Sequence, residues 1–324
     1  MVLDIRLTGP FGQSQALYRV RNEAKRGRGS LAAVEEQIRK DTDFVLEKQR
    51  EAGVTELCDP LFAQYYLFQP FVECVHNVSV GPQENWFNNN VFFRRPQINA
   101  SAYKDTSLVS STPFTSKYHR GKSEVAILPS PFTLLMLSNF SGFTDQREAI
   151  TRVSQILHNE AKLLVQEGYR RIQYDEPALV YMQSLGSLKP AHLDLLQQGL
   201  EICGRVPGAV TSLHTYFGNA GPVLSRLLDL PVDGLGIDCT ETPLDDFLLY
   251  SFPGKDLTLG LVDARTTAWE DPTTLVASLK KIDYFCQPRT LSLTPNTGTE
   301  YRGWSHGLRK LELLAETKRL YNHG

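Results

Sequence analysis

The stretch IQYDEPAL, residues 172–179, places two carboxylates and a proline directly after a short apolar run. A proline lacks the backbone N–H that a strand or helix interior needs, so it marks the end of the strand. The preceding segment, 148–167, carries apolar residues at helical spacing and stops at Gly168. The sequence therefore predicts a helix, a buried strand and an acidic strand end in immediate succession.

The same alternation recurs along the chain. Eight short apolar or β-branched runs end in Gly, Pro, Asp or His, at 3–8, 54–58, 125–128, 171–174, 209–213, 234–237, 257–262 and 290–293. Segments with helical spacing accompany them, at 31–52, 148–167, 190–203, 222–228, 272–284 and 308–320. Strands that alternate with helices form parallel sheets with helical crossovers. Eight such units predict an α/β fold, a single TIM (β/α)₈ barrel over residues 1–324.

Residues 76–123 interrupt this alternation. They are rich in Asn, Ser, Tyr and Arg, and two short β-like pieces, 78–80 and 91–94, flank the motif NWFNNN. We expect a β-hairpin inserted between the second and third strands, followed by a polar loop around 106–122. Long loops inside compact domains are commonly functional or disordered.

Composition and charge restrict the class of protein. The chain has 324 residues, of which 41 % are hydrophobic and 22 % charged, with a net charge of −2. These values exclude a disordered chain and the basic footprint of a nucleic-acid-binding protein. No apolar run approaches the roughly 18 residues of a membrane span, and the N-terminus lacks the pattern of a signal peptide. We expect a cytoplasmic protein whose partners are small molecules, not nucleic acid or membrane.

Polar side chains follow the predicted strands, where the loops of a barrel converge. They are Asp59, Ser130, Asp175, Glu176, His214, Asp238, Asp263 with Arg265, and Asn296 with Thr297. A lone Asp at such a place often caps the next helix. Acids that cluster with a histidine shift one another's pKa values and are candidates for metal binding or proton transfer.

The IQYDEPAL stretch resembles the IQxDEPAL signature of the cobalamin-independent methionine synthases. Further stretches resemble motifs of that family in the same order, namely NWFNNNVFFRRP (85–96), LPSPFT (128–133), TYFG (215–218), LPVDGLGID (230–238) and PNTG with RGW (295–298 and 302–304). The resemblance covers nearly the whole chain and implies a TIM-barrel methyltransferase that acts on homocysteine or a related thiol.

The zinc ligands of that family are mostly missing. The resemblance implies a zinc site built from an H-x-C motif, a Glu and a second Cys, but only His214 is retained here. Tyr216, Asp238 and Thr297 stand at the other three positions. Because Zn²⁺ favours nitrogen and sulfur donors, zinc binding at His214 is doubtful. The chain resembles a free-standing N-terminal-type barrel that acts with a separate zinc-bearing C-terminal-type barrel.

The resemblance and the strand-end pattern together assign the site. Asp175, His214 and Asp238 are the expected catalytic residues, with Asp175 binding an amino group or a pterin N–H. Arg95 and Arg265 are available for a carboxylate. The full set of expected substrate-binding residues is Trp86, Asn88, Asn90, Arg95, Ser130, Glu176, Arg265 and Asn296. The methyl donor is left open between a methylfolate and a methylcorrinoid.

Two other functions remain at this point. A non-catalytic substrate- or partner-binding subunit fits the lost zinc ligands, although such a subunit has no need of several acids at one rim. A uroporphyrinogen-decarboxylase-like enzyme would bind substrate carboxylates through Arg94 and Arg95 without a metal.

Overall fold

The computed structural model of the chain describes residues 1–103 and 124–323. The predicted polar loop around 106–122 lies outside these residues. The described strands are β1 (Leu3–Ile5), β2 (His76–Asn85), β3 (Phe92–Tyr103), β4 (Val125–Pro129), β5 (Asn139–Ser141), β6 (Arg171–Asp175), β7 (Val210–Thr215), β8 (Gly234–Asp238), β9 (Asp256–Val262) and β10 (Thr290–Pro295).

Seven of these strands form one parallel sheet, in the order β1-β10-β9-β8-β7-β6-β4. Their residues are almost all buried, because helices cover one face of the sheet and side chains fill the other. All seven coincide with predicted strands, although β1 ends at Ile5 rather than at residue 8.

The described helices are α1 (Gln15–Lys25), α2 (Leu31–Glu51), α3 (Gln69–Cys74), α4 (Pro131–Met136), α5 (Gln146–Gln166), α6 (Pro177–Ser184), α7 (Pro190–Cys203), α8 (Leu224–Leu228), α9 (Leu244–Phe247), α10 (Pro272–Cys286) and α11 (Trp304–His323). The predicted helical segments all fall on members of this set. The segment 222–228 begins as a 3₁₀ turn, Gly221–Val223, before α8. No helix among the described residues is long and apolar enough to cross a membrane.

Contacts across the sheet show that it curls. The Gln173 side chain on β6 donates to the Thr8 carbonyl just beyond β1, with Nε2 2.8 Å from the oxygen. Arg171 at the start of β6 contacts Asp256 at the start of β9, 3.2 Å away. Neither strand pair is adjacent in the sheet order, so the side chains meet in the interior of a curved sheet. The architecture is that of a curled parallel sheet consistent with a TIM-like barrel.

The prediction of a strand at 54–58 is wrong for most of its length. Among the described residues, a single isolated bridge, between Cys58 and Val125, joins this segment to β4. The buried side chain of Gln49 on α2 takes both backbone groups of Cys58, with distances of 2.9 Å to its N–H and 2.8 Å to its carbonyl. These groups would otherwise extend the ladder of hydrogen bonds, so the side chain replaces a neighbouring strand.

A second, three-stranded sheet lies beside the main one. β2 pairs antiparallel with β3, from His76 opposite Tyr103 to Asn85 opposite Phe92, and β5 pairs parallel with β3. The turn between β2 and β3 is closed by a hydrogen bond from Trp86 N–H to the Val91 carbonyl, at 2.8 Å. The Trp86 ring is buried there, edge-on to Phe93.

Glu176 fastens the N-termini of two helices to each other. One carboxylate oxygen accepts from Leu179 N–H at 2.8 Å and so caps α6. The other oxygen accepts from Thr133 N–H at 3.1 Å and from the hydroxyl of Ser130, which itself caps α4. Prolines at the first position of both helices, Pro131 and Pro177, suit this arrangement because that position has no N–H to satisfy.

We expect Ser130→Ala to destabilise the fold while leaving ligand binding unchanged. The substitution removes the α4 cap and one buried hydrogen bond to Glu176, which together contribute about 1–3 kcal/mol. Chemical denaturation of this variant beside the exposed control Ser187→Ala measures the effect. Unchanged stability together with lost ligand binding would contradict the structural role.

Candidate functional site

A cavity of about 330 Å³ opens at the carboxyl ends of the parallel strands. The loop after β1, residues 61–67, the turn between β2 and β3, and the loop after β10 enclose it. Nine of its 22 lining residues are aromatic, namely Phe11, Phe62, Tyr65, Tyr66, Trp86, Phe92, Phe93, Tyr216 and Tyr301. Such an apolar wall with a few convergent polar groups is typical of a small-molecule site.

Asp175 stands at the end of β6 and lines this cavity. The Gln173 amide donates to one of its oxygens at 2.8 Å, and the Tyr216 hydroxyl donates to the other at 3.1 Å. Burial raises the pKa of Asp175 to about 7, although both hydrogen bonds lower it and the charge of Glu176 raises it. Asp175 therefore changes its charge near neutral pH, in a position fixed by two donors.

Glu300 is a second acid on the same cavity wall. Its Oε2 atom is buried and has no hydrogen-bond partner within residues 1–103 and 124–323. Burial raises the pKa of Glu300 to about 8, the charge of Asp175 adds to the rise, and a contact with the Tyr301 hydroxyl opposes it. A Cβ on Gly298 would collide with this oxygen and with the backbone nitrogen of Pro10, so glycine at that position allows the two loops to approach closely.

Few of the predicted site residues reach the cavity. Asp175, Trp86 and Asn90 line it, as do Tyr216 and Thr297 at the positions of the two missing cysteines. The predicted residues that do not line it are Asn88, Arg95, Ser130, Glu176, His214, Asp238, Arg265 and Asn296. Ser130 and Glu176 are occupied as helix caps, as described above.

Asp238 is the centre of a structural network at the ends of β8 and β10. Its Oδ1 accepts from Thr240, at 2.9 Å from N and 2.6 Å from Oγ1. Its Oδ2 accepts from Phe217 N–H and from the Asn296 side chain, each at 3.3 Å. These contacts hold three loops together, including Phe217 with a φ of 71°, which only a well-fixed backbone retains. The structure thus gives Asp238 and Asn296 contacts that position these loops.

His214 packs inside the curled sheet, against Gly236 on the neighbouring strand. Any Cβ on Gly236 would collide with the imidazole ring, so the glycine is required by this packing. Burial lowers the pKa of His214 to about 3, and the charges of Arg171 and Arg6 lower it further. The ring is therefore neutral at physiological pH.

The donor set around His214 does not fit a zinc ion. Within residues 1–103 and 124–323, no group of three or more His, Cys, Asp or Glu residues is placed to hold a metal. The Tyr216 hydroxyl is directed at Asp175, and the oxygens of Asp238 are taken by backbone and side-chain donors. Zinc is held by His, Cys or carboxylate donors that converge on one point, and these residues do not converge.

The predicted carboxylate-binding arginines are engaged elsewhere. Arg95 makes a two-pronged ion pair with Glu84 across β2 and β3, with both N–O distances 2.6 Å. Arg265 bonds to Glu241 at 2.9 Å and contacts Asp263. Asn88 donates to the Tyr181 hydroxyl at 2.6 Å. The predicted rim of basic and amide groups is thus a set of internal contacts.

Sequence reasoning missed Glu300 and Tyr301. The matched motifs 295–298 and 302–304 lie on either side of these two residues. The available signal was an acid beside an aromatic residue in the loop after a buried strand. The course of this loop depends on the close approach of Gly9 and Gly298, which the sequence does not reveal. A Cβ on Gly9 would lie 2.7 Å from the Gly298 Cα.

Relatives of this chain are methionine synthases. A methyltransferase from Streptomyces griseus, named 5-methyltetrahydropteroyltriglutamate--homocysteine methyltransferase, is 29 % identical over 212 residues, 62 % of this chain and 27 % of the relative. A protein from Thermococcus kodakarensis named methionine synthase is 20 % identical over 92 % of this chain and 87 % of its own length. The chain thus spans about a quarter of the Streptomyces relative and most of the Thermococcus one.

A solved structure and a family model agree with these relatives. The B12-independent methionine synthase from Shewanella sp. W3-18-1 superposes with a TM-score of 0.73 at 18 % identity, over 99 % of this chain and 98 % of that one. The model described as "Cobalamin-independent synthase, N-terminal domain" matches residues 76–287, well over half of the chain. The resemblance read from the IQYDEPAL stretch is confirmed: the chain belongs to the family of cobalamin-independent synthases, by their N-terminal domain.

Proposed function

We propose that this chain takes part in methyl transfer to homocysteine or a related thiol, in the manner of a cobalamin-independent methionine synthase. Two relatives named for this reaction support the proposal. The observation that carries it is the position of Asp175, at a strand end, on the wall of a cavity, and aimed by two hydrogen bonds.

Asp175 is suited to bind the amino group of the acceptor. An ammonium group that approaches the carboxylate replaces lost hydration with a charge-assisted hydrogen bond. The Gln173 and Tyr216 donors hold the carboxylate in one orientation, so the bound amine is also held in one orientation. Aromatic walls exclude water from the remainder of the acceptor.

Methyl transfer also requires the acceptor thiol to lose its proton, and we propose that this step takes place outside this chain. His214 is neutral and buried in the sheet, and its neighbours do not converge on a metal, so the described residues do not provide the zinc chemistry of the family. We propose a separate zinc-bearing, C-terminal-type barrel as the partner that supplies it. The name of the Streptomyces relative favours a methylated folate as donor over a methylcorrinoid.

The proposal also includes a closed barrel. We propose that the segment at Cys58 occupies the eighth position of a (β/α)₈ barrel formed by residues 1–324, with 76–123 inserted between the second and third strands. The single bridge from Cys58 to Val125 supports this assignment. The inserted segment then contributes Trp86 and Asn90 to the cavity.

The other two functions are less well supported. A uroporphyrinogen-decarboxylase-like enzyme requires cations for substrate carboxylates, but Arg95 is paired with Glu84. A non-catalytic binding subunit would bind the same acceptor without methyl transfer, and the assay below separates it from an enzyme.

We expect Asp175→Asn to lower kcat/KM for homocysteine methylation about 10²-fold, because the amide cannot supply the charge that holds the amine. The assay combines this chain, a zinc-bearing C-terminal-type barrel and a methylated folate, and it measures methionine. Asp194→Asn, an exposed substitution on α7, is the matched control. Equal activity of the partner barrel alone and in the mixture would contradict a catalytic role for this chain.

We expect the chain purified alone with added zinc to retain well below one zinc per chain. Elemental analysis of the wild type and of His214→Ala measures this content. The substitution should leave it unchanged while destabilising the fold by about 2 kcal/mol, because it opens a cavity beside Gly236. One tightly bound zinc per chain that is lost with His214 would overturn the partner-dependent account.

A further inference from the structure

The described residues that line the main cavity are acidic and aromatic and include no compensating cation. Asp175 and Glu300 are the ionisable carboxylates on its wall, and no Lys, Arg or His stands among the described residues that line it. Two cations contact the lining residue Tyr65 without lining the cavity themselves. Arg21 and Lys25 lie over the ring of Tyr65, 4.6 and 5.4 Å from its centroid.

The two acids differ in how far the described residues satisfy their carboxylate oxygens. Asp175 is 4 % exposed and has two donors, whereas Glu300 Oε2 is buried with no donor in the described part of the chain. An unsatisfied buried carboxylate oxygen is costly, so it calls for a donor from a ligand. The charge of Asp175 raises the energy of the ionised form of Glu300, which a cation between the two acids would relieve.

The aromatic side chains favour the same kind of ligand. The faces of Tyr and Trp rings attract cations, and Tyr216 and Tyr301 stand next to the two acids on the cavity wall. A carboxylate group on the ligand would meet two acids and, among the described lining residues, only neutral donors such as the amides of Gln13, Gln64 and Asn90. Arg95 and Arg265, which the sequence suggested for that purpose, are held in ion pairs with Glu84 and Glu241.

We propose that Asp175 and Glu300 together bind an ammonium group, and that the cavity selects a cationic aminothiol over an amino acid such as homocysteine. The proposal rests on the proposed function for the thiol part of the acceptor. It goes further in assigning Glu300 as a binding residue and in the charge of the acceptor.

Three thiols of matched length test the charge preference. Homocysteine is a zwitterion, 3-aminopropane-1-thiol lacks its carboxylate and is a cation, and 4-sulfanylbutanoate lacks its amine and is an anion. Isothermal titration of the full-length chain at pH 8, under reducing conditions, measures each dissociation constant. We expect the cation to bind about tenfold more tightly than homocysteine, and the anion not to bind measurably.

Two variants and a control test whether Asp175 and Glu300 cause the preference for the cationic thiol. Glu300→Gln and Asp175→Asn should each weaken binding of 3-aminopropane-1-thiol about tenfold. Glu201→Gln, an exposed substitution on α7, should leave binding unchanged. Melting temperatures recorded on the same samples separate lost binding from lost folding.

The outcomes test the charge preference of the cavity separately from the proposed methyl transfer. Preference for the cation without methionine formation in the coupled assay supports this inference and contradicts the proposed function. Tighter binding of homocysteine than of 3-aminopropane-1-thiol overturns the inference, even if homocysteine is methylated. Absence of binding by the cation at millimolar concentration, or binding unaffected by Glu300→Gln in a folded variant, overturns it as well.

Discussion

The side-chain amide of Gln173 connects the curvature of the sheet to the chemistry of the cavity. One amide nitrogen has two N–H groups, and here they reach the Thr8 carbonyl and the Asp175 carboxylate, each at 2.8 Å. The first contact joins β6 to the strand end at the far edge of the sheet. The second fixes an acid at the cavity wall. The curl of the sheet and the orientation of Asp175 therefore depend on the same buried group.

The acids of the proposed site lower the stability of the fold as the pH rises. Asp175 and Glu300 both have pKa values raised mainly by burial, to about 7 and about 8. A folded-state pKa above the unfolded value means that the folded chain holds its protons more tightly. Such a group favours folding below its unfolded pKa, and this contribution disappears as the pH rises through the folded pKa. Glu176 also has a raised pKa, but its oxygens are satisfied by helix N-termini, so its burial serves the fold.

Much of the fold could be predicted because buried parallel strands are continuous apolar runs that end in turn residues. The loss of regular strand structure at 54–58 could not be predicted, since nothing local reveals that the Gln49 side chain takes the backbone hydrogen bonds of Cys58. At the site, Asp175 was found because a proline marks the strand end beside it. His214 and Asp238 also follow strands, but one packs into the sheet interior and the other ties loops together. Glu300 lies beyond its strand, in a loop whose path depends on Gly9 and Gly298.

The pH dependence of stability in Glu300→Gln tests most directly whether this partly buried acid is retained for a ligand rather than for the fold. Glutamine has no charge to desolvate, so the free energy of unfolding of the variant, relative to that of the wild type, should rise between pH 4.5 and pH 8.5. The variant should be the more stable protein at the upper end, as measured by denaturant unfolding across that range. A variant that is less stable than the wild type by the same amount at every pH would show that Glu300 supports the fold, and would contradict the account.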